Sequence, residues 1–252
     1  MQNSANAIEV RNLTKEFYIF EKDYQIFRWL FSHKSREQTA FLKVALDDIT
    51  LDVKKQEMVG VIGKNGAGKS TLMKLVAGIT FPTYGSVETE GRIGSLINLS
   101  AGFNPDFTGR KNLYYKGMLM GMSNEDIDNI LDDIIDFVDL GEYFDLPFRM
   151  YSSGMGARLG FALAVFSNPD ILIVDEVFSV GDKNFQAKSK AKTMELFNAG
   201  KTVLFSSHSD DQIRNFCNRV VYIKDGKIAF NGDVETGLEM YSEDVARQGK
   251  KK

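Results

Sequence analysis

Cysteine is close to absent. Cys217 is the only one in a chain of 252 residues, which rules out an intrachain disulfide framework or a multi-cysteine metal centre and suits a reducing compartment. No stretch of 18 consecutive apolar residues occurs, so no segment reads as a membrane-spanning helix. The opening MQNSANAIEVRNLTKEF has neither the basic start nor the apolar run of a secretory signal. A basic excess is missing as well: 31 Lys and Arg stand against 34 Asp and Glu, a formal net charge of −3. A chain built around nucleic-acid phosphates would carry the opposite balance, so no nucleic-acid partner is expected. Repeats and low-complexity tracts are absent, and only the end of the chain, 246–252, reads as a loose basic tail.

What is present is a globular composition, 43% hydrophobic and 26% charged, enough for one sizeable core. The expected organisation is a single domain over 1–252. Apolar and polar residues alternate from Ile8 to Phe17 and from Val44 to Val53, the pattern of half-buried antiparallel strands. EMVGVIG, DILIVDE and TVLFSSH are instead short continuous apolar runs separated by helix-like sequence, as in a parallel sheet covered on both faces. The fold class is α/β: a phosphate-loop core with a mostly parallel sheet, an N-terminal antiparallel subdomain and an inserted helical subdomain. That insert falls at about 99–168, from helical stretches near 109–121 and 153–167 flanking SNEDIDNILDDIIDFVDL. In the last of these, Ile127, Ile130, Leu131, Ile134, Ile135 and Val138 form an apolar stripe behind a Ser123/Asp126 capping box.

The chemistry begins at Gly63-Lys64-Asn65-Gly66-Ala67-Gly68-Lys69-Ser70, which fits G-x-x-x-x-G-K-[ST] between an apolar strand and a helix. Glycines allow close backbone approach, backbone N–H groups and the helix start cradle phosphates, Lys69 reaches the β and γ phosphates, and Ser70 can ligate Mg²⁺. Thr71 continues the motif into the helix. Downstream, four apolar residues end in Asp175 and Glu176. Asp175 at the strand end would hold Mg²⁺, and Glu176 would face the attacking water as general base, a role worth roughly 10²- to 10⁴-fold in rate. His208 closes the run TVLFSSH, where an imidazole would meet the γ-phosphate.

GKNGAGKST, YSSGM, ILIVDE, SVGD and His208, in that order and spacing, resemble the nucleotide-binding subunit of an ATP-binding cassette transporter over nearly the whole chain. The resemblance implies a cytoplasmic ATPase that homodimerises head to tail around two Mg-ATP and drives separate integral-membrane permease subunits. Tyr151-Ser152-Ser153-Gly154-Met155 matches the family's LSGGQ signature, which opens a helix aimed at the ATP of the opposite subunit; Ser152 and Gly154 would contact its γ-phosphate. Phe17 matches the aromatic that stacks on adenine, although Tyr18 is adjacent and serves as an alternative. Asp182 matches the loop that crosses the dimer interface. Asn98 stands where the family has a Mg²⁺-contacting glutamine; being one methylene shorter, it would act through a bridging water.

YSSGM, AGFNPDFTGRKNL and VDEVFSVGDKNFQAKSK resemble the subgroup exporting bacterial surface polymers: lipid-linked O-antigen, capsule or wall teichoic acid. Lipid-linked glycan or polyol-phosphate would then be handled mainly by the permease, with this chain at the cytoplasmic face of the inner membrane. No appended glycan-binding domain is expected after VETGLEMYSEDVA. The competing reading is a soluble cassette ATPase of DNA repair or ribosomes, whose usual paired cassettes, coiled coil or basic surfaces are not seen.

Residues 21–41 hold Tyr24, Ile26, Phe27, Trp29, Leu30 and Phe31 before turning basic. On a helix at roughly 100° per residue these spread over about 220°, more than one core-facing stripe. Two readings stand on composition: a buried helix or loosely packed hairpin, or a second apolar surface toward permease or lipid with His33, Lys34 and Arg36 placed for anionic headgroups or acidic partners; the polymer-exporter resemblance implies the second, an inserted segment at the substrate entrance. Polar substitution of Trp29 and Phe31 is expected to impair polymer export and leave the basal ATPase of the isolated subunit intact. Export assays beside ATPase assays check this; loss of folding would return the segment to the core.

Overall fold

The computed structural model describes residues 5–19, 41–175 and 181–249. Most of 21–41, together with Glu176, lies outside the described residues. Two sheets organise the rest. Strands β1 (Asn6–Ile19), β2 (Phe41–Lys54) and β4 (Tyr84–Thr89) form an antiparallel sheet in the order β2-β1-β4. The second sheet comprises β3 (Met58–Ile62), β5 (Ile93–Ser95), β6 (Ile171–Asp175), β7 (Thr202–Ser206), β8 (Arg219–Lys224) and β9 (Lys227–Gly232). Its order is β5-β6-β7-β3-β8-β9, parallel except for the β8–β9 hairpin. β3, β6 and β7 are the three continuous apolar runs of the sequence, and a strand covered on both faces has no polar side to show.

Helix α1 (Lys69–Val76) follows β3. Leu72, Met73 and Val76 bury between the sheets, in one core with Val61, Ile171, Ile173 and Leu204. Helices α2 (Gly109–Leu119), α3 (Asn124–Val138) and α4 (Ser153–Phe166) stand between β5 and β6. In α3 the capping box forms, Ser123 Oγ accepting from the Asp126 N–H at 3.1 Å and Asp126 accepting from the Ser123 N–H at 2.9 Å. Ile127, Ile134 and Val138 are buried, while Ile130, Leu131 and Ile135 pack at the edge of the same cluster. Helix α5 (Lys183–Asn198), the short α6 (Asp210–Phe216) and α7 (Val234–Gly249) complete the chain.

α4 joins the two halves. From Leu159 to Val165 it is apolar and buried all round, as an enclosed helix must be: Leu159, Ala162 and Leu163 enter the helical-lobe core, and Phe161, Ala164 and Val165 enter the core beneath the parallel sheet. Its glycines bring the backbone against the turn after β5, where a Cβ on Gly160 would fall 2.0 Å from the Leu99 carbonyl oxygen. The same oxygen accepts from Lys116 Nζ of α2 at 2.9 Å. The tail expected to be loose from 246 is helical as far as Gly249, with Arg247 paired to Glu243 one turn earlier at 3.0 Å.

Gly160→Ala is therefore expected to destabilise the fold by about 1–3 kcal/mol, the usual cost of overpacking. Gly154→Ala, whose added carbon would meet only Ser152 Oγ at 3.8 Å, should unfold like the wild type in a urea titration.

Candidate active site

The parallel strands β6, β7 and β3 are neighbours and end at one edge of the sheet, where α/β folds bind their ligands. A cleft of about 960 Å³ opens there. β3 delivers the phosphate loop, β6 delivers Asp175, and the turn after β7 delivers His208; all three reach the cleft. Asn65, Gly66 and Gly68 line it from the loop, and Lys69, Ser70 and Thr71 from the first turn of α1.

Loop geometry explains the glycines. Gly68 is the N-cap of α1 at φ 114°, a conformation natural to glycine. Its missing side chain leaves room for the Ala45 carbonyl oxygen, 2.7 Å from where a Cβ would stand. Gly63 faces the Ile223 carbonyl oxygen in the same way, at 2.3 Å. Ala67 is buried beneath the loop. Lys69, 7% exposed, runs back under it, its Nζ donating to the Gly63 carbonyl at 2.7 Å and the Lys64 carbonyl at 3.1 Å. A buried ammonium beside the backbone N–H groups of a helix start is an arrangement that suits a polyphosphate.

Across the cleft, Phe17, Tyr18 and Ile19 are exposed at the end of β1 and line it together with Lys43 and Ala45 of β2. Lys15 Nζ lies 5.1 Å from the centre of the Phe17 ring. Both candidate aromatics thus reach the cleft. Lys43 was not legible as a site residue, since it arrives only by pairing with Phe17 across a long intervening segment. The turn carrying His208 is held by Ser207 Oγ donating to Gln212 Oε1 at 2.7 Å and accepting from the Ser209 N–H at 3.0 Å.

The signature residues lie elsewhere. Ser152, Gly154, Met155 and Asp182 line a separate recess of about 460 Å³ with Arg158. Ser152 is the N-cap of α4, its Oγ accepting from the Met155 N–H at 3.2 Å, and Ser153 is exposed at the first helical position. Asp182 caps α5 through the Asn184 and Phe185 N–H groups, each at 3.0 Å, and pairs with Arg158. The bond from the Phe185 N–H, followed by the Arg158 charge, holds its carboxyl below the usual carboxylate range. The Arg158 guanidinium also lies over the Phe185 ring at 5.1 Å. Arg158 was missed in the sequence, where nothing marks it apart from other surface arginines. Asn98 sits exposed in the turn after β5 at φ 50°, outside the residues lining either recess.

A phosphate loop after β3, a carboxylate at the end of β6 and a histidine in the turn after β7, the strand between them, define a phosphate-loop nucleoside triphosphatase. Residues 46–179 match the ABC transporter family. The chain is 41% identical over 243 residues to the O-antigen export system ATP-binding protein of Klebsiella pneumoniae, covering 95% of this chain and 98% of that protein. It is 39% identical over 236 residues to the teichoic acids export ATP-binding protein of Bacillus anthracis, covering 94% of this chain but 42% of that longer protein. Among solved structures, a dimeric post-hydrolysis ATP-binding cassette bound to ADP and Pi shares the fold at TM-score 0.65 and 21% identity, over 90% of this chain and 98% of that one. The chain belongs to the ABC transporter family as an ATP-binding cassette: it binds ATP and hydrolyses it.

The glycines give a direct test. Gly68→Ala should lower ATP affinity at least about 100-fold by displacing the loop from Ala45, with secondary structure retained. Gly66→Asn, at a left-handed position with nothing within 4 Å of the added carbon, should bind within a few-fold of wild type. Fluorescent-nucleotide titration and circular dichroism read the two.

Proposed function

We propose that this chain is the ATP-hydrolysing subunit of an exporter that moves a lipid-linked polysaccharide or teichoic acid across the cytoplasmic membrane through a separate permease. The observation that carries this reading is the 41% identity to an O-antigen export ATP-binding protein over 98% of that protein's length. Among the described residues no helix is long and apolar enough to cross a membrane, which is in keeping with a peripheral subunit docked on permease partners at the cytoplasmic face.

Mg²⁺ fits the donors present. Ser70 and Asp175 line one cleft with hard oxygen atoms, and no group of three or more His, Cys, Asp and Glu side chains gathers among the described residues. Mg²⁺ takes such a site, sharing its ligands with nucleotide phosphates and water; when bound, it neutralises charge on the phosphates. Asn98, which lies outside the residues lining the cleft, would reach the cation only through a water. Lys69 holds the β and γ phosphates, Phe17 or Tyr18 stacks on adenine, and Glu176 and His208 serve the attacking water and the γ-phosphate.

Two copies of the chain facing head to tail account for the separation of the two recesses. Ser152, Ser153, Gly154 and Met155 at the start of α4, with Asp182 beside them, then meet the ATP held in the partner's cleft. N–H groups at a helix start suit a γ-phosphate, and charge stabilisation supplied from the partner links hydrolysis to closure of the dimer.

Glu176→Gln is expected to cut ATP turnover at least about 100-fold and leave ATP binding intact. A tagged chain should co-purify from detergent-solubilised membranes with a polytopic permease, and its deletion should leave lipid-linked polymer on the inner leaflet. Turnover near wild type would remove Glu176 as the base; recovery with ribosomes or DNA and no membrane protein would remove the transport reading.

A further inference from the structure

Of the polar side chains buried among the described residues, one hydroxyl has no hydrogen-bond partner. Asn112, Ser167, Ser189, Thr193 and Thr202 are all buried, and each is hydrogen-bonded: Ser167, Ser189 and Thr193 donate to helix carbonyls at 2.7–3.0 Å, Thr202 Oγ1 accepts from the Gln56 N–H at 3.0 Å, and Asn112 bridges to Asn104. Ser206, 0% exposed at the last position of β7, is the exception: its Oγ is buried with no hydrogen-bond partner. A buried hydroxyl loses its hydration without return unless something claims it.

Its neighbours indicate what does. Ser206 is paired in register with Asp175 on the adjacent parallel strand. Side chains alternate between the faces of a sheet. Ile171 and Ile173 of β6 and Leu204 of β7 enter the core that contains α1, whereas Leu172, Val174, Val203 and Phe205 enter the core on the other face. The period of two therefore sets Asp175 and Ser206 side by side on the α1 face, the face on which Lys69 and Ser70 begin that helix. A hydroxyl with one O–H to give and a free rotor stands next to a carboxylate that accepts on both oxygens.

We propose that Ser206 is a positioning residue of the Mg-ATP site: its hydroxyl donates to the Asp175 carboxylate and fixes it so that the other oxygen serves the cation. The inference rests on the Mg²⁺ reading given above. Outer-shell hydrogen bonds of this kind orient metal-binding carboxylates, and their loss lowers metal affinity about 10- to 100-fold. Among the described residues this hydroxyl makes no other hydrogen bond, and its contribution is expected in the metal-bound state.

The test is a Mg²⁺ titration of the full-length protein with a fluorescent, non-hydrolysable ATP analogue, for wild type, Ser206→Ala and Ser206→Thr. In Ser206→Ala the Mg²⁺ concentration at half-saturation should rise about 10-fold, while metal-free nucleotide affinity and the nucleotide-free unfolding midpoint stay at or above wild type. Ser206→Thr, which restores the hydroxyl, should return the Mg²⁺ titration to within a few-fold of wild type. Superimposable titrations for Ser206→Ala and wild type would overturn the proposal, as would an equal loss of nucleotide affinity with and without Mg²⁺. A wild type whose nucleotide binding ignores Mg²⁺ would overturn the metal reading itself, and this inference with it.

Discussion

The phosphate loop is pinned between two backbone carbonyls, and the geometry of the cleft depends on that. Gly63 lies against the Ile223 carbonyl of β8, and Gly68 against the Ala45 carbonyl of β2. Neither contact tolerates a Cβ, so at these two glycines the loop approaches both sheets with its backbone. A short relay of backbone hydrogen bonds closes the arrangement: the Gly226 N–H donates to the Ala67 carbonyl at 3.1 Å, and the Asp47 N–H donates to the Gly226 carbonyl at 2.9 Å. The β8–β9 turn thereby ties the loop to the antiparallel sheet. Since β1 and β2 carry Phe17, Tyr18 and Lys43, the same ties fix the distance between the phosphate end and the aromatic end of the cleft.

The second recess depends on α4 in a comparable way. This helix shares side chains with the lobe core and the sheet core from Leu159 to Val165, which fixes its axis relative to both. Phe137 of α3, Phe161 of α4 and Phe185 of α5 meet with ring centres 5.3–6.0 Å apart. Arg158 adds a charged link, joining the Val138 carbonyl, Asp182 and the Phe185 ring. Arg158 thus links the first turns of α4 to the cap of α5.

Local signals were legible in the sequence and long-range ones were not. GKNGAGKS and DILIVDE announce themselves because glycine placement, continuous apolar runs and terminal carboxylates are decided within a few residues. The Ser123/Asp126 box is equally local. By contrast β4 is almost wholly exposed and carries one half-buried residue, Val87, so its strand character comes from pairing with β1 rather than from its own pattern. β5 is three residues long and owes its existence to β6. Arg158 and Lys43 become site residues only once distant segments are brought together. Ser206 gave no signal at all, since a serine ending an apolar run is ordinary until its burial and missing partner are seen.

β8 also connects the phosphate loop to the C-terminal helix. Ile223 points into the core and offers its carbonyl to Gly63. The residues on either side, Tyr222 and Lys224, both donate to the Asp244 carboxylate of α7, at 2.9 and 2.7 Å. Lys224 first, then Tyr222, holds that carboxyl below its ordinary range, and burial, followed by the bond to Asp244, pushes the Tyr222 hydroxyl up. One carboxylate on α7 therefore braces the two side chains that flank the carbonyl on which the loop rests. The strand cannot slide along its axis without breaking that fork or opening the contact at Gly63. α7 is consequently part of the support of the ATP site, although none of its residues lines the cleft.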